Sequence, residues 1–350
     1  MKALVTGAAG FIGSHVVDAL RAEVIDVIGI DSLDPAVHHA PPDYLRKDVD
    51  YCFVDLRYWR PDSRFDDVQL IVHLAALGGV ARAAREPANI IDANCTGTAR
   101  LLDAARRLPR LQRVIHISSF SVYGANYSYR CTSCGRQTTA DRSQAALDRG
   151  DYEVHCRVCG AEAAILPTNE EVTPAPLETY AASKYMQELC YRGFDAAPVT
   201  ILRLSSAYGS RLRLEDGEAT IIARLAGWIR NGERPQLLED GRQLRDWVYV
   251  GDVAAAVMQL VRGKEAPSLI NVCSGVGTRL VEACALIAAA MGVKCNPEVI
   301  GGYRPGDMRH CIGDPTRLRS LLGRDPLPFS EGAQRAFGSE RRVAMARSSP

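Results

Sequence analysis

Residues 2–13 read Lys2-Ala-Leu-Val-Thr6-Gly7-Ala-Ala-Gly10-Phe11-Ile12-Gly13. A short apolar run of strand character gives way to three glycines spaced three apart. An amphipathic pattern of helical period then runs from Phe11 to Leu20. Glycines between a strand and a helix let the backbone turn sharply and approach a pyrophosphate, whose charge then faces the helix N-terminus. The stretch opens with Lys2 and an apolar run, as a secretory leader does, but the glycines interrupt it, and it reads as strand, turn and helix. The spacing is GxxGxxG. Outward from it, Val24–Ile30 is a second apolar run that ends at Asp31. A carboxylate there accepts from adenosine ribose hydroxyls and repels a 2′-phosphate, which favours NAD over NADP.

Tyr51–Val54, Leu70–Leu74, Val114–Ile117 and Val199–Leu204 read as further short strands, with helical patterns at Ile90–Leu108, Tyr180–Arg192 and Ala283–Met291. Strands alternating with helices predict a Rossmann-type α/β fold, a doubly wound parallel sheet with helices on both faces. The rhythm breaks at 125–169, a cysteine-bearing insert, and from about residue 208 to 245, which suggests a second, smaller α/β unit. The last residues, from about 340, read as a frayed tail.

At 350 residues the chain can bury a full core and carry a smaller unit besides. Its 42 basic and 41 acidic residues leave a formal charge of +1, so no global field recruits nucleic acid or an anionic membrane. No run approaches the ~18 apolar residues of a membrane span. An anionic substrate would have to be held by a few placed arginines.

Two constellations carry chemistry. In Ser118-Ser119-Phe-Ser121-Val-Tyr123-Gly124 and Tyr180-Ala-Ala-Ser-Lys184, the tyrosine and lysine share one helix face. An ammonium beside a phenol stabilises the phenolate, which makes Tyr180 a general base, and a serine on the neighbouring strand can bond the same substrate oxygen. The other is Cys131-x-x-Cys134-Gly with Cys156-x-x-Cys159-Gly. Two such knuckles supply four thiolates for a tetrahedral zinc, and a closed sulfur shell makes that metal structural. His155 is a spare ligand beside them. Of the eleven cysteines, the other seven are scattered, which argues for reduced thiols in the cytoplasm. Within the insert Arg130, Arg136, Arg142, Arg149 and Arg157 are balanced by Asp141, Asp148, Asp151, Glu153 and Glu162, so it lacks the basic stripe of a nucleic-acid binder. Its place between the Ser119 strand and the Tyr180 helix puts it at the carboxyl edge of the sheet, where ligands of such a sheet bind, so it is expected to wall the ligand pocket or buttress a subunit contact.

Taken together, Gly7/Gly10/Gly13, His73-Leu-Ala-Ala76, Asn94-x-x-Gly97-Thr98, the serine–tyrosine motif, Tyr-x-x-x-Lys, Arg245-Asp-Trp-Val-Tyr-Val, Asn271-Val-Cys-Ser-Gly275 and Arg304-Pro-Gly-Asp307 resemble the extended short-chain dehydrogenases/reductases that act on nucleotide sugars. The resemblance runs from Met1 to about residue 335. It implies Ser119, Tyr180 and Lys184 as the catalytic set, with NAD along Gly7, Gly10, Phe11, Ile12, Gly13, Asp31, Asp55, Leu56, Leu74, Ala75, Ala76 and Asn94 and against Tyr180 and Lys184 themselves. It implies substrate contacts from Ser119, Ser121, Ser206, Arg245, Arg304 and Asp307, the two arginines on the diphosphate. It further implies a homodimer and a partition into an NAD-binding unit (1–124, 170–206 and 245–275), the zinc-binding insertion (125–169), a nucleotide-sugar unit (207–244 and 276–335) and a tail (336–350).

The chain departs from relatives that dehydrate the sugar at C5–C6, which carry Asp-Glu after the catalytic Ser/Thr. Here Phe120 and Ser121 stand there, and neither can shuttle those protons. Ser206 stands where many relatives carry asparagine. A narrower likeness, in Asp31-Ser-Leu-Asp-Pro-Ala-Val-His38, the cysteine insert, Glu239-Asp-Gly-Arg-Gln243 and Gly306-Asp-Met-Arg-His310-Cys, is to the branch assigned as dTDP-L-rhamnose 4-epimerases. The resemblance therefore implies C4 epimerisation of a dTDP- or UDP-linked sugar through a 4-keto intermediate. The rival activities are a 4-ketosugar reductase, another nucleotide-sugar dehydrogenase or a decarboxylase, and, from another class, a non-catalytic NAD-sensing scaffold.

Overall fold

The structure is a computed structural model that describes residues 1–38, 40–139, 142–214, 220–263, 265–304 and 307–338, with Val80 by its backbone alone. The expected tail beyond residue 338, and Pro305 and Gly306 of the Arg-Pro-Gly-Asp turn, lie outside these residues.

Seven strands form the main sheet: β1 (Lys2–Thr6), β2 (Asp26–Asp31), β3 (Asp50–Phe53), β4 (Val68–His73), β5 (Arg113–Ser119), β9 (Val199–Leu204) and β13 (Leu269–Val272). Between β5 and β9 lie β6 (Ser128–Cys131), β7 (Gln137–Thr139) and β8 (Ala163–Ile165), and between β9 and β13 lie β10 (Ser206–Tyr208), β11 (Gln236–Leu237) and β12 (Leu244–Tyr249). The main sheet runs β13-β9-β5-β4-β1-β2-β3, every neighbouring pair parallel. Strand order reverses at β1, so the crevice between the carboxyl ends of β1 and β4 is where a ligand of such a sheet binds. The glycine turn sits there.

Continuous apolar runs suit strands buried on both faces. Val5, Val72, Ile115 and Leu202 face the helices Phe11–Ala22 and Val250–Val261 on one side. Leu4, Ile71 and Val114 face Gly97–Ala105 and Thr179–Arg192 on the other.

A second core gathers Tyr208, Trp247, Ile287 and Phe329, with the helices Ile221–Arg230, Leu280–Met291 and Phe329–Phe337 around it. β12, which the sequence reading groups with the nucleotide-binding part, pairs with β10 and with β14 (Gly277–Arg279) instead. Its side chains alternate between the two cores, Trp247 in the second and Val248 in the first, as a period of two requires. β11 pairs with β15 (Glu298–Val299).

The helical pattern expected at Ile90–Leu108 is not one regular helix. It runs Pro87–Ile91, passes through a π-helical turn at Asp92–Thr96, and resumes at Gly97–Ala105. In the insert, β7-β6-β8 form an antiparallel sheet that packs Tyr129 and Val154 against Phe120, Tyr123 and Cys311. Among the described residues no helix is long and apolar enough to cross a membrane.

Candidate active site and four-cysteine cluster

The glycine turn is packed to its limit. A Cβ on Gly13 would lie 1.9 Å from the Gly7 carbonyl oxygen, and one on Gly7 would lie 2.9 Å from the Ala75 nitrogen. Only bare backbone lets the turn fold onto itself at the start of the Phe11–Ala22 helix, with the Gly7 and Ala8 amides on the Ile30 carbonyl and the Gly10 amide on the Gly7 carbonyl. Phe11 stands first in that helix, edge-on to His15, and Ile12 packs on the main core. Asp31 closes the turn from β2: Oδ2 accepts from the Ala9 amide at 3.0 Å and Oδ1 from the Leu33 amide at 2.9 Å. The carboxylate is thus also a turn residue, and each oxygen keeps a second acceptor site. Asp55 is paired with Arg57 at 2.7 Å, and Leu56 is buried beside it.

Across the groove the amides of Leu74 and Ala75 are anchored on Thr6, and Ala76 is exposed. Asn94 stands in the π-helical turn. Its Oδ1 accepts from the Leu77 amide at 2.7 Å, and its Nδ2 donates to the Leu77 carbonyl at 3.0 Å and to Ser183 Oγ at 2.8 Å. It therefore ties the 74–77 loop to the helix that carries Tyr180. Extra-residue turns of this kind recur at functional sites.

Ser119 ends β5, and its hydroxyl accepts from Ser121 Oγ at 3.0 Å and from the Ser121 amide at 3.2 Å. Glu178 caps the next helix through the amides of Tyr180 (2.6 Å) and Ala181 (2.7 Å), which fixes Tyr180 in the first turn. Burial pushes the Tyr180 phenol up to about 12, while the hydrogen-bonding Ser119 hydroxyl pulls it down. Lys184 is 3% exposed; its ammonium donates to the Ile117 carbonyl at 2.8 Å and to Gln187 Oε1. Burial lowers it to about 7, with the Glu188 carboxylate opposing. In this state burial, not Lys184, dominates the phenol, whereas spacing alone suggests an acidified tyrosine. The low dielectric of the helix–strand seam is the reason.

Sequence reasoning missed Gln187, whose amide links Lys184 to Thr98 Oγ1 at 2.7 Å, although its i+3 spacing from Lys184 was a readable signal. It also missed Glu188, which takes Ser118 Oγ at 2.5 Å and a bidentate bond from buried Arg203.

The substrate-side residues spread over several elements. Ser206 starts β10, opposite Trp247 of β12. Arg245 gives its two Nη atoms to the carbonyls of Leu244, Met308 and Arg309, all at 3.0 Å, so it braces the turn that follows Asp307. Arg304 and Asp307 are exposed. Arg224, not singled out from sequence, lies near Arg304; burial, reinforced by that neighbouring charge, lowers its pKa. Clustered guanidiniums of this sort suit a diphosphate.

All eleven cysteines are free, and the four Sγ atoms of Cys131, Cys134, Cys156 and Cys159 lie within 4.8 Å of one another. Cys131 and Cys159 are 3.4 Å apart, and Cys134 and Cys156 3.7 Å. Tetrahedral thiolates at ~2.3 Å from zinc stand about 3.8 Å apart, so the set fits that ion. The two knuckles repeat each other: Gly135 and Gly160, at φ +70° and +73°, return their amides to the carbonyls of Cys131 and Cys156. A side chain at either φ would be strained. His155 is turned away, bonded to Gly160 O and Asp151.

Comparison with known proteins matches residues 3–144 and 156–273 to the NAD dependent epimerase/dehydratase family, the gap falling inside the insert. The chain is 31% identical over 342 residues to dTDP-L-rhamnose 4-epimerase of Burkholderia thailandensis, covering 93% of this chain and 90% of that one. The structure of UDP-glucose 4-epimerase from Thermotoga maritima with UDP-glucose superposes with a TM-score of 0.76 at 26% identity, covering 99% and 100% of the two chains. The Thermus thermophilus UDP-glucose 4-epimerase complex with NAD does so with 0.73 at 27%, over 98% and 100%. With the glycine turn at the sheet's switch point and Tyr180 capped beside Ser119, the chain belongs to the NAD-dependent epimerase/dehydratase family.

Proposed function

We propose that the protein inverts C4 of a dTDP- or UDP-linked sugar through a transient 4-keto sugar, with NAD as resident cofactor; the Burkholderia relative points to dTDP-L-rhamnose. The observation that carries this reading is the convergence of Ser119, Tyr180 and Lys184 at the carboxyl end of β5, beside the glycine turn.

The residues present suit the cofactor: Gly7 and Gly13 admit no side chain where the turn folds tightly onto itself ahead of the helix, and Asp31 and the Leu74–Ala76 edge lie on either side of that turn. NAD, when bound there, supplies the acceptor for the C4 hydride and returns it. Tyr180 takes the proton of the 4-hydroxyl, and Ser119 donates to the oxygen as it becomes a carbonyl. Lys184 lies one helical turn on, where an ammonium would favour phenolate and would hold the ribose of the bound cofactor. Arg304 and Arg245 hold the diphosphate while the keto sugar turns over, and Ser121, Ser206 and Asp307 are further substrate contacts. Phe120 is buried in the seam with the insert, and Ser121 is bonded to Ser119, so neither serves C5–C6 elimination.

The nucleotide-sugar unit in this reading comprises 207–244 and 276–335, and the four cysteines hold a structural zinc. Free thiols throughout suit a cytoplasmic enzyme, and the family likeness suggests a homodimer. Tyr180→Phe tests the assignment. Turnover of UDP-glucose and dTDP-L-rhamnose, read by proton NMR, should fall by roughly 10²–10⁴ while NAD content stays at the wild-type level. Wild-type rates in that variant would exclude Tyr180 as base. Net consumption of added NADH by the wild type would instead mark a reductase.

A further inference from the structure

The insert does not stand clear of the molecule. Arg142, whose side chain is 5% exposed, donates to Glu239 Oε1 at 2.8 Å, to the Asp307 carbonyl at 2.5 Å and to the Tyr152 carbonyl at 3.2 Å. Glu239 takes Arg309 at 2.8 Å on its other oxygen and is held at φ +55°, a strained backbone for a side-chain residue. Arg309 is buried; it also pairs with Asp240 at 2.7 Å and with Glu153 of the insert. Glu153 also meets His310 Nε2 at 3.2 Å, while His310 Nδ1 accepts from the Leu244 amide, so Nε2 carries the proton. Tyr303 donates to Asp148 at 2.5 Å.

Tyr303 on one side and Asp307, Arg309 and His310 on the other are therefore gripped by the insert, and Met308 and Arg309 are braced from behind by Arg245. A buried ionic network of this kind adds little net stability over apolar packing, but breaking one partner leaves uncompensated charge, which fixes one geometry.

We propose that the four-cysteine insert is a clamp on the substrate turn, with Arg142 as the positioning residue that holds Asp307 and, through it, Arg304 in place for a nucleoside diphosphate. This rests on the reading of Arg304–Asp307 as the diphosphate turn. The insert then governs affinity for the nucleotide end and leaves the Tyr180 chemistry alone. Because clamp and ligand share one turn, binding of either favours the other, by the reciprocity of linkage.

The test uses the whole protein, with metal and NAD content measured in every sample. Calorimetry with dTDP and UDP should show Arg142→Ala weakening binding about 10-fold or more. KM for the nucleotide sugar should rise to match, with kcat within about twofold of wild type. Arg142→Lys should recover part of the loss, since an ammonium reaches Glu239 or the Asp307 carbonyl but not both. Tyr303→Phe removes the peripheral tie without touching the buried charges and should weaken binding several-fold even where the arginine variants misfold. The preferred nucleotide should also slow metal release to a chromogenic chelator in the wild type and not in Arg142→Ala. Unchanged dTDP and UDP affinity in variants that keep metal and NAD overturns the clamp. A wild type that binds neither nucleotide overturns the nucleotide-sugar reading, and the clamp with it.

Discussion

At the scale of single residues, the site is governed by what burial does to charge. The Tyr180 phenol is driven up to about 12 and the Lys184 ammonium down to about 7, so near neutrality the pair is held short of its working state. Ser119 is the group that opposes the rise at Tyr180. Ser119→Ala should therefore slow turnover at saturating substrate by roughly 10²-fold or more, with NAD content intact, as read by NMR and by cofactor released on denaturation. A wild-type rate would remove Ser119 from the mechanism. Sterics decide the cofactor turn. Gly13→Ala forces a methyl onto the Gly7 carbonyl, so the purified variant should carry little NAD and melt several degrees lower. Full NAD occupancy would contradict the packing argument. The residue types at these positions were legible in the sequence because their spacing along one segment is itself the signal. The direction of the two pKa shifts was not, because burial is a property of the seam between β5 and its neighbouring helix.

At the scale of elements, the strands and the glycine turn could be read locally, since apolar runs and turn residues act over a few positions. The π-helical turn at Asp92–Thr96 could not. Its extra residue is selected by Asn94 reaching Leu77 and Ser183, a contact across the fold that leaves no period in the sequence. β12 likewise looked like part of one unit, yet it alternates between two cores. The cysteine knuckles are the opposite case, fully spelled out by spacing. Cys131→Ser should lower bound zinc from about one per chain to near zero and make residues 128–165 protease-sensitive, with the main sheet still folded by circular dichroism. Retention of zinc would mean that the four thiolates are not its ligands.

At the scale of the molecule, ties between distant segments set the behaviour. Arg309, Glu239 and Glu153 meet across stretches of 70 and 156 residues, beyond any sequence window. Buried His73 and His116 are held neutral by burial and by the Lys184 charge, His73 at about 3. Protons bind the unfolded chain first, near the ordinary value of 6.5, so stability is full above it and falls as pH drops toward 3. The loss is on the order of a few kcal/mol. The urea midpoint should decline between pH 7 and pH 4, less steeply in His116→Phe; a pH-independent midpoint would show these rings exposed. The central claim is that the C4 hydrogen leaves the sugar and returns to the same carbon on the opposite face, without passing through water. UDP-glucose or dTDP-L-rhamnose deuterated at C4, incubated in ordinary water with no added cofactor, should yield the C4-inverted product with deuterium still on C4. Inversion with the label lost to solvent, or no inversion of either sugar by protein that carries NAD, would contradict it.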